Sequence, residues 1–110
     1  MSEVTKAWLI LFAAGLFEML WAVGLKYSEG FTKVWPSLFT VITLTISMAL
    51  LGYAVRTLPL GTAYAVWTGI GAVGTVVSGM FLFQESREFV RLFFIFLIIM
   101  GIAGLKFFSK

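Results

Sequence analysis

The sequence predicts an all-α membrane protein with four transmembrane helices. Three observations carry that prediction. Hydrophobic residues make up 61% of the 110 positions and charged residues only 12%, with a mean hydropathy of +1.05. A soluble domain of that composition would expose apolar patches that soluble monomers avoid. Apolar runs of about 20 residues recur along the chain, each long enough to cross the roughly 30 Å hydrocarbon core of a bilayer. Short polar segments separate the runs, and no soluble domain or low-complexity tract is expected beside them.

Met1 to Lys6 reads as a short polar start. The first helix is predicted from about Ala7 to Tyr27, about 31 Å at 1.5 Å per residue. It has no small-residue cleavage site, so it is expected to stay in the membrane rather than act as a removable signal. Gly30 breaks the chain before the second helix, predicted from about Val34 to Val55. Trp35 and Pro36 suit its start, as an interfacial indole and an N-terminal proline. Its interior hydroxyls, Thr40, Thr43, Thr45 and Ser47, can all bond back to their own helix. The third helix is predicted from about Leu60 to Phe83. Its stretch Gly61 to Gly74 packs Gly61, Gly69, Gly71 and Gly74 among Thr62, Tyr64, Trp67 and Thr68. A lipid-facing surface has no need of such residues, whereas close packing or a cavity does. The fourth helix is predicted from about Phe89 to Phe108, where Gly101 and Gly104 suit a helix–helix seam and Lys106 can snorkel to the interface.

One residue in these helices resists a packing explanation. Glu18 lies within a residue of the middle of the first helix. A charge at a helix centre costs roughly 2.5–3.5 kcal/mol on insertion scales, so an acid there is a functional candidate by default. Cysteine and histidine are both absent, which removes disulfides, thiolate chemistry, the usual catalytic base and the commonest metal ligand. No second acid or metal cluster accompanies Glu18, so an enzyme is the least expected class and no cofactor is expected. The net charge of +3 is dispersed and does not suggest nucleic acid.

At about 100° per residue, Ala14, Gly15, Glu18, Trp21 and Ala22 share one face of the first helix, and Tyr64, Trp67, Thr68 and Gly71 one face of the third. Ser47 lies near the middle of the second. The midplane would then offer one carboxylate, two indoles, a phenol and a hydroxyl. That set suits a small organic cation, because desolvated aromatic faces add about 2 kcal/mol of cation–π attraction. A carboxylate that holds either a proton or a cation, with a change of access between them, is an antiporter. Plainer readings stand beside these: Glu18 as a structural acid, Trp21 and Trp67 as core or lipid-facing residues, Tyr64 as a packed tyrosine, and Ser47 bonding its own helix. The helix-three glycines read as packing or as a hinge. A non-transporting interaction subunit would explain the glycines but leave Glu18 idle.

Four helices put both termini on one side. Lys6, Arg56, Lys106 and Lys110 then face one compartment, and Lys26, Lys33, Arg87 and Arg91 the other. The positive-inside rule finds no excess, so insertion in both orientations and an antiparallel dimer are expected.

Glu18 centred in the first helix, Lys26-Tyr27-Ser28-Glu29-Gly30-Phe31-Thr32 after it, and Pro59-Leu60-Gly61-Thr62-Ala63-Tyr64-Ala65-Val66-Trp67-Thr68-Gly69-Ile70-Gly71 resemble the small multidrug resistance family of proton-coupled exporters. The likeness covers nearly the whole chain. It implies a dual-topology dimer in the bacterial inner membrane, with both central glutamates in one site that exchanges protons and substrate in turn. Phe17-Glu18-Met19-Leu20-Trp21-Ala22 looks like the guanidinium-exporter subtype, in which a tryptophan follows the glutamate by three. The resemblance implies that Glu18 and Ser47 hydrogen-bond guanidinium while Trp21, Tyr64 and Trp67 line the site. Gly15, Gly69, Gly71, Gly74 and Gly101 are the expected packing or hinge positions. An exporter of quaternary ammonium or bulkier aromatic cations, or one subunit of a heterodimer, is the alternative reading.

Overall fold

The computed structural model describes residues 2–108 and contains four helices: α1 (Glu3–Tyr27), α2 (Val34–Ala54), α3 (Leu60–Leu82) and α4 (Phe89–Phe108). Each is long and apolar enough to cross a membrane. The polar start joins α1 instead of preceding it. The Ser2 side chain accepts a hydrogen bond from the Thr5 backbone N–H at 3.1 Å, and Glu3 sits in the first turn. A cap and an acid at the positive end of the helix dipole therefore start α1 four residues before Ala7.

Ser28 closes α1 and organises the tight turn to α2. It is fully buried, its hydroxyl donates to the Leu25 carbonyl at 2.7 Å, and it accepts from the Phe31 N–H at 3.0 Å. Glu29, Gly30 and Phe31 all adopt positive φ, of 48°, 74° and 67°. Gly30 takes that conformation without a side-chain clash; its two neighbours hold it because Ser28 pins the turn.

α1 is the central element. It packs most extensively against α2, then against α3, while α4 packs its backbone beside α3 alone. The seams are built from small residues and hydroxyls. Ala7, Leu11 and Ala14 of α1 meet Leu51 and Ala54 of α2 and Ala63, Val66 and Trp67 of α3 in one buried cluster. Lipid tails are as apolar as leucine, so such close backbone approach, not hydrophobic burial, holds membrane helices together. The three threonines of α2 do bond back to their own helix: Thr40 to the Pro36 carbonyl at 2.7 Å, Thr43 to Phe39 at 2.7 Å and Thr45 to Val41 at 2.8 Å.

Gly15, Gly69 and Gly74 mark where the helices touch. A Cβ on Gly15 would meet the Ile70 Cβ of α3 at 2.6 Å, and one on Gly69 would meet the Ile102 Cδ1 of α4 at 2.8 Å. One on Gly74 would meet the Met19 Sδ at 2.7 Å. Gly101 and Gly104 face nothing within 4 Å, and α4 buries none of its residues.

Candidate functional site

Glu18 and Trp21 stand one turn apart on α1, against the glycine-rich middle of α3. The closest approach is to Gly71, where a Cβ would meet the Glu18 Cγ at 2.7 Å and its Cδ at 2.9 Å. The carboxyl group therefore rests on bare backbone, in space that a side chain on α3 would occupy. Glu18 borders a cavity of about 360 Å³ between α1 and α3, lined also by Trp21, Ala22, Thr68, Gly71, Ala72, Thr75 and Val76.

Among the described residues, no hydrogen bond or ion pair reaches the Glu18 carboxylate. The ion pairs, Lys33–Glu29 at 3.0 Å and Arg91–Glu85 at 2.8 Å, join residues near the helix ends. The Trp21 indole Nε1 is likewise buried without an acceptor. A carboxylate at membrane depth with no cation of its own attracts one from outside. It stands alone among the described residues, with no group of three acids, histidines or cysteines to hold a metal ion. A larger cavity of about 630 Å³ lies near the α1–α2 turn, but Glu29, the carboxylate that lines it, is already paired with Lys33.

The other three sequence-predicted residues form a separate, adjoining network. The Trp67 Nε1 donates to the Ser47 hydroxyl at 2.9 Å, and that hydroxyl donates to the Ala14 carbonyl at 2.7 Å. Both bonds are buried and together tie α1, α2 and α3 at one level. Ala14 lies one helical turn before Glu18, so its carbonyl is the α-helical acceptor of the Glu18 N–H. Ser47 thus departs from the plainer expectation, that it bonds its own helix. It bonds neither its own helix nor Glu18; its proton is committed to the backbone one turn away. Tyr64 does not reach Glu18 either. Its ring packs on Trp67, with centroids 5.5 Å apart and planes at 54°, and it is otherwise exposed.

The hydrogen bond between Trp67 and Ser47 has a measurable expected weight. A double-mutant cycle of Ser47→Ala and Trp67→Phe, read by unfolding in mixed detergent micelles, should return a coupling energy of about 0.6 to 1.7 kcal/mol. Strictly additive single effects would mean the two side chains do not support each other.

Of the cavity residues that sequence reasoning missed, Ala72, Thr75 and Val76, Thr75 is the polar one. Thr68 and Thr75 lie two turns apart on one face of α3, on either side of Gly71. Unlike the three threonines of α2, neither makes a side-chain hydrogen bond among the described residues. The available signal was the seven-residue spacing of two threonines around Gly71.

Four apolar helices with one carboxylate presented to a cavity at membrane depth define a multi-pass membrane protein built to handle a cation. Comparison with known proteins sharpens that class. The model of the Small Multidrug Resistance protein family matches residues 6–98, and the chain belongs to that family. A guanidinium exporter of Proteus vulgaris is 54% identical over 100 residues, covering 91% of this chain and 96% of the relative. Guanidinium exporters of Salmonella typhimurium strain LT2 and Citrobacter freundii are 55% and 53% identical, each over 91% of this chain and 95% of theirs. The protein is accordingly a multi-pass transport protein of the bacterial inner membrane.

Proposed function

We propose that the protein exports guanidinium and small substituted guanidiniums in exchange for protons, working as an antiparallel homodimer whose two Glu18 carboxylates share one site. The observation that carries the reading is the pairing of Glu18, unpartnered at membrane depth, with the Trp21 indole on the same cavity. A carboxylate offers two parallel acceptors that match the N–H fork of a planar guanidinium. The indole face adds cation–π attraction where water is excluded. The exporters named above, at 53–55% identity, support the substrate class.

Exchange follows from charge. Glu18 gives its proton to one compartment and then binds the cation; after access changes, a proton from the other side displaces the cation. A site that holds one or the other, never both, couples their movements. Ser47 and Trp67 hold α1 at the level of the carboxylate, and Tyr64 braces Trp67. The glycines of α3 let the α1–α3 seam slide. The balanced lysine and arginine count supports both orientations, and the uncovered face of α4 around Gly101 leaves room for a second copy. The relatives named as exporters support reading the protein as a transporter and not an enzyme.

Transport currents on a supported membrane test the substrate. Guanidinium should give a saturable current, and tetraphenylphosphonium a much smaller one. A current with tetraphenylphosphonium and none with guanidinium would overturn the reading in favour of a bulky-cation exporter. A C-terminal reporter visible from one compartment only would overturn the homodimer and leave a heterodimer of fixed subunits.

A further inference from the structure

Two cavities open side by side where the start of α1 meets the end of α4. The outer one, of about 340 Å³, is edged by Thr5, Thr57 and Pro59. The inner one, of about 240 Å³, is an apolar slot running past Phe12 to Ile70 and Ile102. Trp8, Leu9 and Lys106 border both, so they form one groove with a polar mouth and a greasy floor. Lys106 stands at the join, its Nζ 5.1 Å from the centroid of the Trp8 ring.

Among the described residues, no ion pair holds the basic side chains at this end of the bundle. The ion pairs among the described residues belong to the opposite connections. Here, Lys6 and Arg56 lie over the Tyr53 ring at 5.6 and 5.5 Å, and Lys106 over Trp8. Glu3 is the sole carboxylate at this end among the described residues, and it makes no ion pair. A cation above an apolar slot that opens to the bilayer is complementary to one abundant kind of molecule. An anionic phospholipid carries a phosphodiester at headgroup level and an acyl chain directly beneath it.

We propose that this groove seats one anionic phospholipid, with its phosphate on Lys106 and an acyl chain along Trp8, Phe12 and Ile102. Lys106 reaches the interface by laying its stem along apolar surface, as long basic side chains do near helix ends. The chain's far end lies against Ile70, the residue that fills the space above Gly15 and directly precedes Gly71. The lipid therefore contacts the outer side of the same α1–α3 seam that carries Glu18.

Native mass spectrometry of the purified protein, titrated with phosphatidylglycerol or phosphatidylethanolamine of the same acyl chains, tests the proposal. Wild type should retain phosphatidylglycerol with about a fivefold preference, the weight of one lysine near an anionic lipid surface. Lys106→Gln should erase the preference, and Lys106→Arg should keep it. Leu9→Trp, which fills the slot, should lower retention of both lipids. Lys33→Gln, at the other end of the bundle, should change nothing. Equal retention of the two lipids by wild type would overturn the site, as would a preference that survives Lys106→Gln or disappears equally in Lys33→Gln. Should Lys106→Gln fail to assemble, Leu9→Trp decides: unchanged phosphatidylglycerol retention there overturns the site too.

Discussion

Glu18→Gln eliminates pH-gradient-driven guanidinium uptake into proteoliposomes, with an expected loss of more than about a hundredfold. Glutamine keeps the size of the side chain and its resting place on Gly71, so the packing change is small. The charge is what disappears. Removing one partner of a desolvated charge pair costs about 3–5 kcal/mol, and each 1.4 kcal/mol is a factor of ten. The pH dependence of guanidinium binding should vanish with it. On the proposed exchange, protons and cation compete for one carboxylate in the wild type, so lower pH should weaken guanidinium binding, while the variant has no site for that competition. Binding by isothermal titration across several pH values, beside the flux assay, reads both effects. A Glu18→Gln protein that still moves guanidinium against a proton gradient would place the coupling elsewhere.

Gly71→Ala is the second large effect, and it separates geometry from charge. The new methyl group would lie 2.7 Å from the Glu18 Cγ and 2.9 Å from its Cδ. The glutamate must swing off α3 or the α1–α3 seam must widen. Overpacking of this kind costs about 1–3 kcal/mol, so guanidinium affinity should weaken by about tenfold with the protein still assembled. Gly52→Ala on α2 is the matched control, because nothing lies within 4 Å of its new methyl. Wild-type affinity in Gly71→Ala would show that the carboxylate is not held where it rests on this backbone. An equal loss in Gly52→Ala would make the effect one of helix backbone rather than contact.

The difference between Ser47 and its neighbours on α2 shows where sequence reasoning reached its limit. Thr40, Thr43 and Thr45 do what isolated membrane hydroxyls do and bond their own helix. Ser47 reaches across to α1 and receives Trp67 from α3. No local pattern distinguishes it, because its partners lie 33 and 20 residues away. Thr75 was missed for the same reason: its place on the cavity depends on how α3 is rotated against α1.

Composition and hydropathy by themselves determined that the chain is helical and crosses the membrane four times. They also singled out Glu18, because transfer cost is a property of each residue in its segment and needs no neighbour. The motif from Pro59 to Gly71 and the tryptophan after Glu18 carried the family resemblance on residue identity alone. Only the tertiary structure decided which side chains meet: Glu18 with Gly71, Ser47 with the Ala14 carbonyl, Trp67 with Ser47, Tyr64 with Trp67 instead of the carboxylate. Those contacts depend on the rotation and axial register of one helix against another. In a helix apolar on every side, hydrophobic periodicity does not report that rotation, because lipid and protein interior look alike to an apolar side chain.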